Sequence, residues 1–271
     1  VRPWTASLAL ALVAGAAALG GDDSPKSRKP PAGEDAKEKE DPDLPTQDLK
    51  AGGDERMRYF VHGPKKDAKQ PKDGWRVLYV LPGGTGGDGF KGFVKNIRRQ
   101  ALSDEYLAVQ LVAAKWTEEQ PITWPTKGVP LKEAKFTTED FFAAVHKDVT
   151  KAFKVDPKFV FALGWSSGGP PVYTLTLGEK SAVQGAYVAM SVFKSAELPK
   201  LDGAKGKPFF IDHSPDDKTC PFRMAEEARD ALKKAGGVVE FVTYDGGHGW
   251  KGAMWDRLKK GVAHLEKNAP K

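Results

Sequence analysis

Apolar positions fall into two alternating patterns along this chain: short unbroken runs, and stretches where they recur every three or four residues. Residues 58–62 and 75–81 are apolar-rich runs bounded by Gly and Pro, and they predict strands. From 90 to 102, Phe90, Phe93, Val94, Ile97 and Ala101 keep helical spacing. A buried strand is expected over 106–113, then an amphipathic helix over 138–153 with Glu139 and Asp140 in its first turn. The continuous run 159–163 suits a central strand of a parallel sheet. A helix after Ser166, strands near 183–190, 207–212 and 238–244, and helices at 221–235 and 252–267 complete the series. Strands alternating with helices imply an α/β domain, a mainly parallel sheet with helices on both faces.

The N-terminal part does not share this pattern. Arg2 precedes an apolar run from Leu8 to Leu19 that is shorter than the roughly 20 residues a bilayer span needs. Small residues follow it, so 1–20 reads as an export signal cleaved near Gly20, leaving no stable membrane span. The segment 21–56 is rich in Asp, Glu, Lys, Pro and Gly and is expected to be a disordered linker. The folded domain is then expected to begin at residue 57. Export permits disulfides, yet Cys220 is the only cysteine, so no internal bridge can form. As a small loop residue before Pro221 it needs no chemical role, although a lone cysteine can also be a nucleophile.

Charge adds little. The chain carries 42 basic and 36 acidic residues, a balance of +6. Residues 21–56 hold seven basic and eleven acidic residues, so with Arg2 set aside the remainder from Met57 is at +9. Its lysines are scattered with no aromatic-interleaved patch, and a nucleic-acid partner is not expected.

Chemistry enters at Gly164-Trp165-Ser166-Ser167-Gly168, a G-x-S-x-G sequence between a strand and a helix. A serine in such a turn stands exposed above the strand ends, and the amide of Ser167 is placed where an oxyanion would develop. Leu81-Pro82-Gly83-Gly84-Thr85-Gly86 also follows a strand, and Gly84 is the expected second oxyanion donor. Pro82 has no N–H to offer. The overlapping Gly84–Gly89 matches a dinucleotide fingerprint, but the next strand ends without the carboxylate a ribose needs, and no Walker lysine follows.

A serine nucleophile needs a base and an acid, in the chain order Ser, acid, His. His62 and His146 precede the nucleophile or lie in a helix, His264 falls late in the last helix, and His213 comes too early. His248 remains, in a glycine loop between the last strand and the last helix. Asp212, Asp216 and Asp217 all compete for the orienting role.

These segments, with 213–221 and Gly246-Gly247-His248-Gly249-Trp250, resemble exported α/β-hydrolase esterases of the polyhydroxybutyrate-depolymerase-like and feruloyl-esterase-like group. They are also similar to dienelactone-hydrolase and prolyl-oligopeptidase-type catalytic domains. The resemblance spans roughly 75–265 and implies the α/β-hydrolase fold. Its acid-loop pattern, His-Gly-x-x-Asp-x-x-Val-Pro, puts the acid at Asp217, with Asp216 in reserve. Here Pro82 stands where such families have histidine, Ser214 replaces a glycine, and paired cysteines are absent. The expected activity is hydrolysis of a small or polymeric carboxylic ester by Ser166, His248 and Asp217, with no metal or organic cofactor. A serine peptidase of prolyl-oligopeptidase type and a non-catalytic binding protein on the same scaffold are the alternatives. Trp124, Trp165 and Trp250 are candidate walls of a substrate pocket, with 116–136 as a short lid; packing of the loop onto the domain would account for them equally.

Overall fold

A computed structural model describes residues 42–270. The described chain is built on one eight-stranded sheet in the order β1-β2-β4-β3-β5-β6-β7-β8. The strands are β1 (Thr46–Lys50), β2 (Arg58–His62), β3 (Trp75–Leu81), β4 (Tyr106–Leu111), β5 (Val155–Trp165), β6 (Gly185–Ala189), β7 (Pro208–His213) and β8 (Val238–Thr243). β1 pairs with β2 and β2 with β4 antiparallel, and every other pairing is parallel.

Alternation along the central strands builds two cores. Val77, Tyr79 and Leu81 of β3 join Phe141 and Val145 of α2 (Thr138–Ala152), Val172 of α3 (Gly169–Leu177) and Leu232 of α4 (Phe222–Lys234). Leu78 and Val80 meet Val94 and Ile97 of α1 (Lys91–Ala101) and Leu258 and Val262 of α5 (Met254–Lys267) on the opposite face. Side chains two residues apart share a face of a strand, so the apolar runs cover both layers at once. α2 starts at a capping box between Thr137 and Asp140, and α3 carries its prolines in the first turn, where a missing N–H costs nothing. No described helix is long and apolar enough to cross a membrane.

One boundary needs correction. Residues 1–41 of the expected signal and linker lie outside the described residues, but 42–56 belong to the folded domain. Leu44 and Ala51 are buried, and Thr46–Lys50 forms the edge strand. The segment is polar because an edge strand faces solvent: Asp48 pairs with Arg58 on β2, and backbone bonds to β2 supply what side-chain burial does not.

Candidate active site

The chemistry-bearing loops leave the C-terminal ends of β3, β5, β7 and β8, which the parallel pairing brings to one edge of the sheet. β5 ends at Trp165, and Ser166 follows at φ 50°, left-handed backbone that a non-glycine residue adopts at a cost of about 1–2 kcal/mol. Two features hold it there. The Ser191 hydroxyl donates to the Ser166 carbonyl at 2.7 Å. Gly168 lets the turn press onto the end of β3, where a Cβ would overlap the Leu81 carbonyl oxygen.

His248 Nε2 stands 3.2 Å from Ser166 Oγ, and His248 Nδ1 lies 2.8 Å from Asp217 Oδ2. An ionised carboxylate only accepts, so Nδ1 carries the hydrogen and the Nε2 lone pair faces the serine. Asp217 is buried and held by three donors, the amides of Thr219 and Cys220 and the His248 ring. Its Oδ1 accepts the amides of Thr219 and Cys220, each at 2.8 Å, while Oδ2 faces His248 and, at 3.3 Å, His213 Nε2. The structure thus brings Ser166, Asp217 and His248 together. Asp216 is exposed on the same loop. Asp212 is buried elsewhere, accepting from the Tyr187 hydroxyl at 2.9 Å and Arg257 Nε at 3.0 Å; burial raises its pKa although Arg257 opposes the shift.

At the loop after β3, a Cβ at Gly83 would sit 2.9 Å from Ser166 Cβ, so only glycine allows this loop to approach Ser166. The Gly84 carbonyl accepts the hydroxyls of Thr123 at 2.8 Å and Ser167 at 2.9 Å. These bonds fix the peptide after Gly84 against the turn that carries Ser166.

Two of the three tryptophans are a correction. Trp165 and Trp124 are only 5% and 4% exposed and have almost no surface for a ligand. Trp165 alternates away from Ser166 onto the α1–α5 face, edge-on to Phe90, Phe93 and Trp250. Trp124 donates its indole N–H to the Pro82 carbonyl at 3.0 Å and so braces the glycine loop after β3. Trp250 is half-buried in the same aromatic cluster.

Three supporting residues carry no signal in the nucleophile motif. Ser191 is one, through its bond to the Ser166 carbonyl. The Ser214 hydroxyl accepts the amides of Asp216 at 3.2 Å and Gly247 at 3.0 Å, clasping the acid loop to the histidine loop where the resembling families have glycine. His213 Nε2 lies 2.9 Å from the Cys220 carbonyl, which can only accept, so that nitrogen bears the hydrogen. Burial lowers the pKa of His213 and favours the neutral ring. Cys220 is buried beside the site, and burial pushes its thiol up to about 11, which leaves it a poor nucleophile at neutral pH.

No protein-family model matches the chain, and no curated protein matches it. Solved structures do. A carboxylesterase from Mesorhizobium loti superposes with a TM-score of 0.60 at 17% identity, over 82% of this chain and 99% of that one. The Bacillus cereus carboxylesterase matches at TM-score 0.57 and 17% identity, over 83% and 94%. A ferulic acid esterase matches at 0.58 and 18%, over 83% and 97%. The chain has the α/β-hydrolase fold. At these identities the likeness is one of fold, and function has to be argued from the site.

Proposed function

We propose that this protein is an exported serine hydrolase that cleaves carboxylic esters through an acyl-enzyme. The observation that carries the reading is the unbroken relay from Ser166 Oγ through the His248 ring to Asp217. Ser166 Oγ attacks the ester carbonyl carbon while His248 Nε2 takes the hydroxyl proton. The amides of Gly84 and Ser167 receive the negative charge on the carbonyl oxygen. Collapse breaks the bond to the alcohol oxygen, and His248 returns the proton to that leaving group. Water then attacks the acyl-enzyme, His248 again accepting a proton, and the acid departs as Ser166 regains its hydrogen. Asp217 keeps the imidazole in its Nδ1–H tautomer and stabilises the imidazolium. The similarity of the fold to that of carboxylesterases supports the ester over the amide. Export rests on the N-terminal apolar run alone.

The test is Ser166→Ala against a short-chain p-nitrophenyl ester. Turnover by the purified variant should fall by more than about 10³-fold with melting temperature maintained. A variant that works as well as the native chain removes the proposal.

A further inference from the structure

Nothing in that reaction uses the thiol of Cys220, which is buried on the loop that carries Asp217. Among the described residues, Asp217, Cys220 and His248 also bring one carboxylate oxygen, one sulfur and one imidazole nitrogen within 4.8 Å of one another. Mixed oxygen, sulfur and nitrogen donors are the set that zinc-like cations take, with three protein ligands and an open fourth position. Hard cations such as Mg²⁺ and Ca²⁺ prefer oxygen alone.

We infer that Asp217, Cys220 and His248 form a capture site for a thiophilic divalent cation, Zn²⁺ or Cd²⁺, whose binding switches the proposed triad off. Metal–ligand lengths of about 2.0–2.3 Å call for tetrahedral donor separations of about 3.3–3.8 Å, so the widest pair has to close by at most about 1 Å. The histidine side can supply that movement. His248 is flanked by Gly246, Gly247 and Gly249, all at positive φ, on a loop outside the regular elements. On binding, the Cys220 S–H bond breaks, its proton goes to solvent, and the thiolate, an imidazole nitrogen and Asp217 Oδ2 donate their electron pairs to the cation. Water or the Ser166 hydroxyl completes the shell. The 2.8 Å bond between His248 and Asp217 is lost, and the imidazole can no longer serve as the base.

The inhibition rests on the proposed function, but the binding does not, and the experiment separates them. Cys220 is the only cysteine, so a thiolate-to-cadmium charge-transfer band in the ultraviolet reports this site alone. On the full chain stripped with EDTA, native protein and Ser166→Ala should each develop the band with one equivalent of Cd²⁺. Cys220→Ala should show none, and His248→Ala should need at least about tenfold more metal, the scale on which metal sites weaken when a partner is removed. In parallel, Zn²⁺ should inhibit ester turnover reversibly by EDTA. Cys220→Ala and Cys220→Ser, each referred to its own metal-free rate, should need at least about tenfold more Zn²⁺ for half-inhibition. No band on native protein, or Zn²⁺ sensitivity unchanged in both cysteine variants, overturns the inference. A chain that turns over no ester ends the proposed function, and the cadmium arm alone then decides the site.

Discussion

His213 shows what a single ring can do without touching substrate. Its Nε2–H points at the Cys220 carbonyl and stands 3.3 Å from the Asp217 carboxylate, so it holds that loop from behind. Replacing it with phenylalanine keeps an aromatic ring and removes the donor. We expect kcat to fall about tenfold, the worth of one hydrogen bond of about 1.4 kcal/mol, with KM nearly unmoved. His213→Gln, whose amide can donate, should recover part of that loss. Equal losses in both variants, or a change confined to KM, would refute a positioning role. This residue also marks how far the site was legible. Ser166 and His248 stand out because the motif and chain order demand those residue types at those places, and the resemblance points to Asp217. The same chain-order argument sets His213 aside as a base and has nothing to say about a supporting ring. Ser191, Ser214 and Trp124 act on backbone groups 25 to 42 positions away, and such bonds leave no local pattern. Trp165 misleads because adjacency to a nucleophile in sequence means the opposite face in a strand.

At the scale of elements, hydrophobic period found every central strand and the main helices, since each must present an apolar run or stripe to one of two cores. It fails at β1. Composition over 21–56 averages a charged tract with an edge strand whose ordering comes from pairing rather than from its own apolar content. The difference has a measurable consequence. A chain cut to begin at Pro42 keeps Leu44 under cover, the β1–β2 ladder and the 3.0 Å bond between Thr46 Oγ1 and His62 Nδ1; one beginning at Met57 loses all three. Burial of one leucine alone is worth about 2–3 kcal/mol, a large share of the 5–15 kcal/mol that holds a domain together. We therefore expect the 42–271 chain to melt within a few degrees of the full chain, and the 57–271 chain to melt at least about 5 °C lower or to aggregate through the bared edge of β2. Equal melting temperatures for the two truncations, with both remaining soluble, would return β1 to the linker.

Across the molecule, three histidines are kept neutral by burial. His62 lies between β1 and β4, and its pKa is lowered to about 3, first by desolvation and then by Lys95 and Lys91, with Gln110 opposing. His146 against Tyr79 and His213 behind Asp217 are lowered for the same leading reason. Such a group binds a proton in the unfolded chain, near pH 6.5, that the folded state refuses. Its contribution to stability is therefore complete above about pH 6.5 and drains away as pH falls toward the folded value. For His62 the slope is about 1.4 kcal/mol per pH unit, which amounts to about 2 kcal/mol between pH 7 and pH 5. Asp212, with its pKa raised, works in the opposite sense at lower pH, so the whole-protein curve mixes signs and a difference measurement is needed. Urea unfolding of the native chain and of His62→Gln at both pH values supplies it. Glutamine does not titrate, and whatever it costs at pH 7 it costs at pH 5 as well. The stability lost on acidification should accordingly be about 2 kcal/mol smaller in the variant, while parallel losses would mean that His62 takes up its proton in the folded state and that its burial does not govern acid stability.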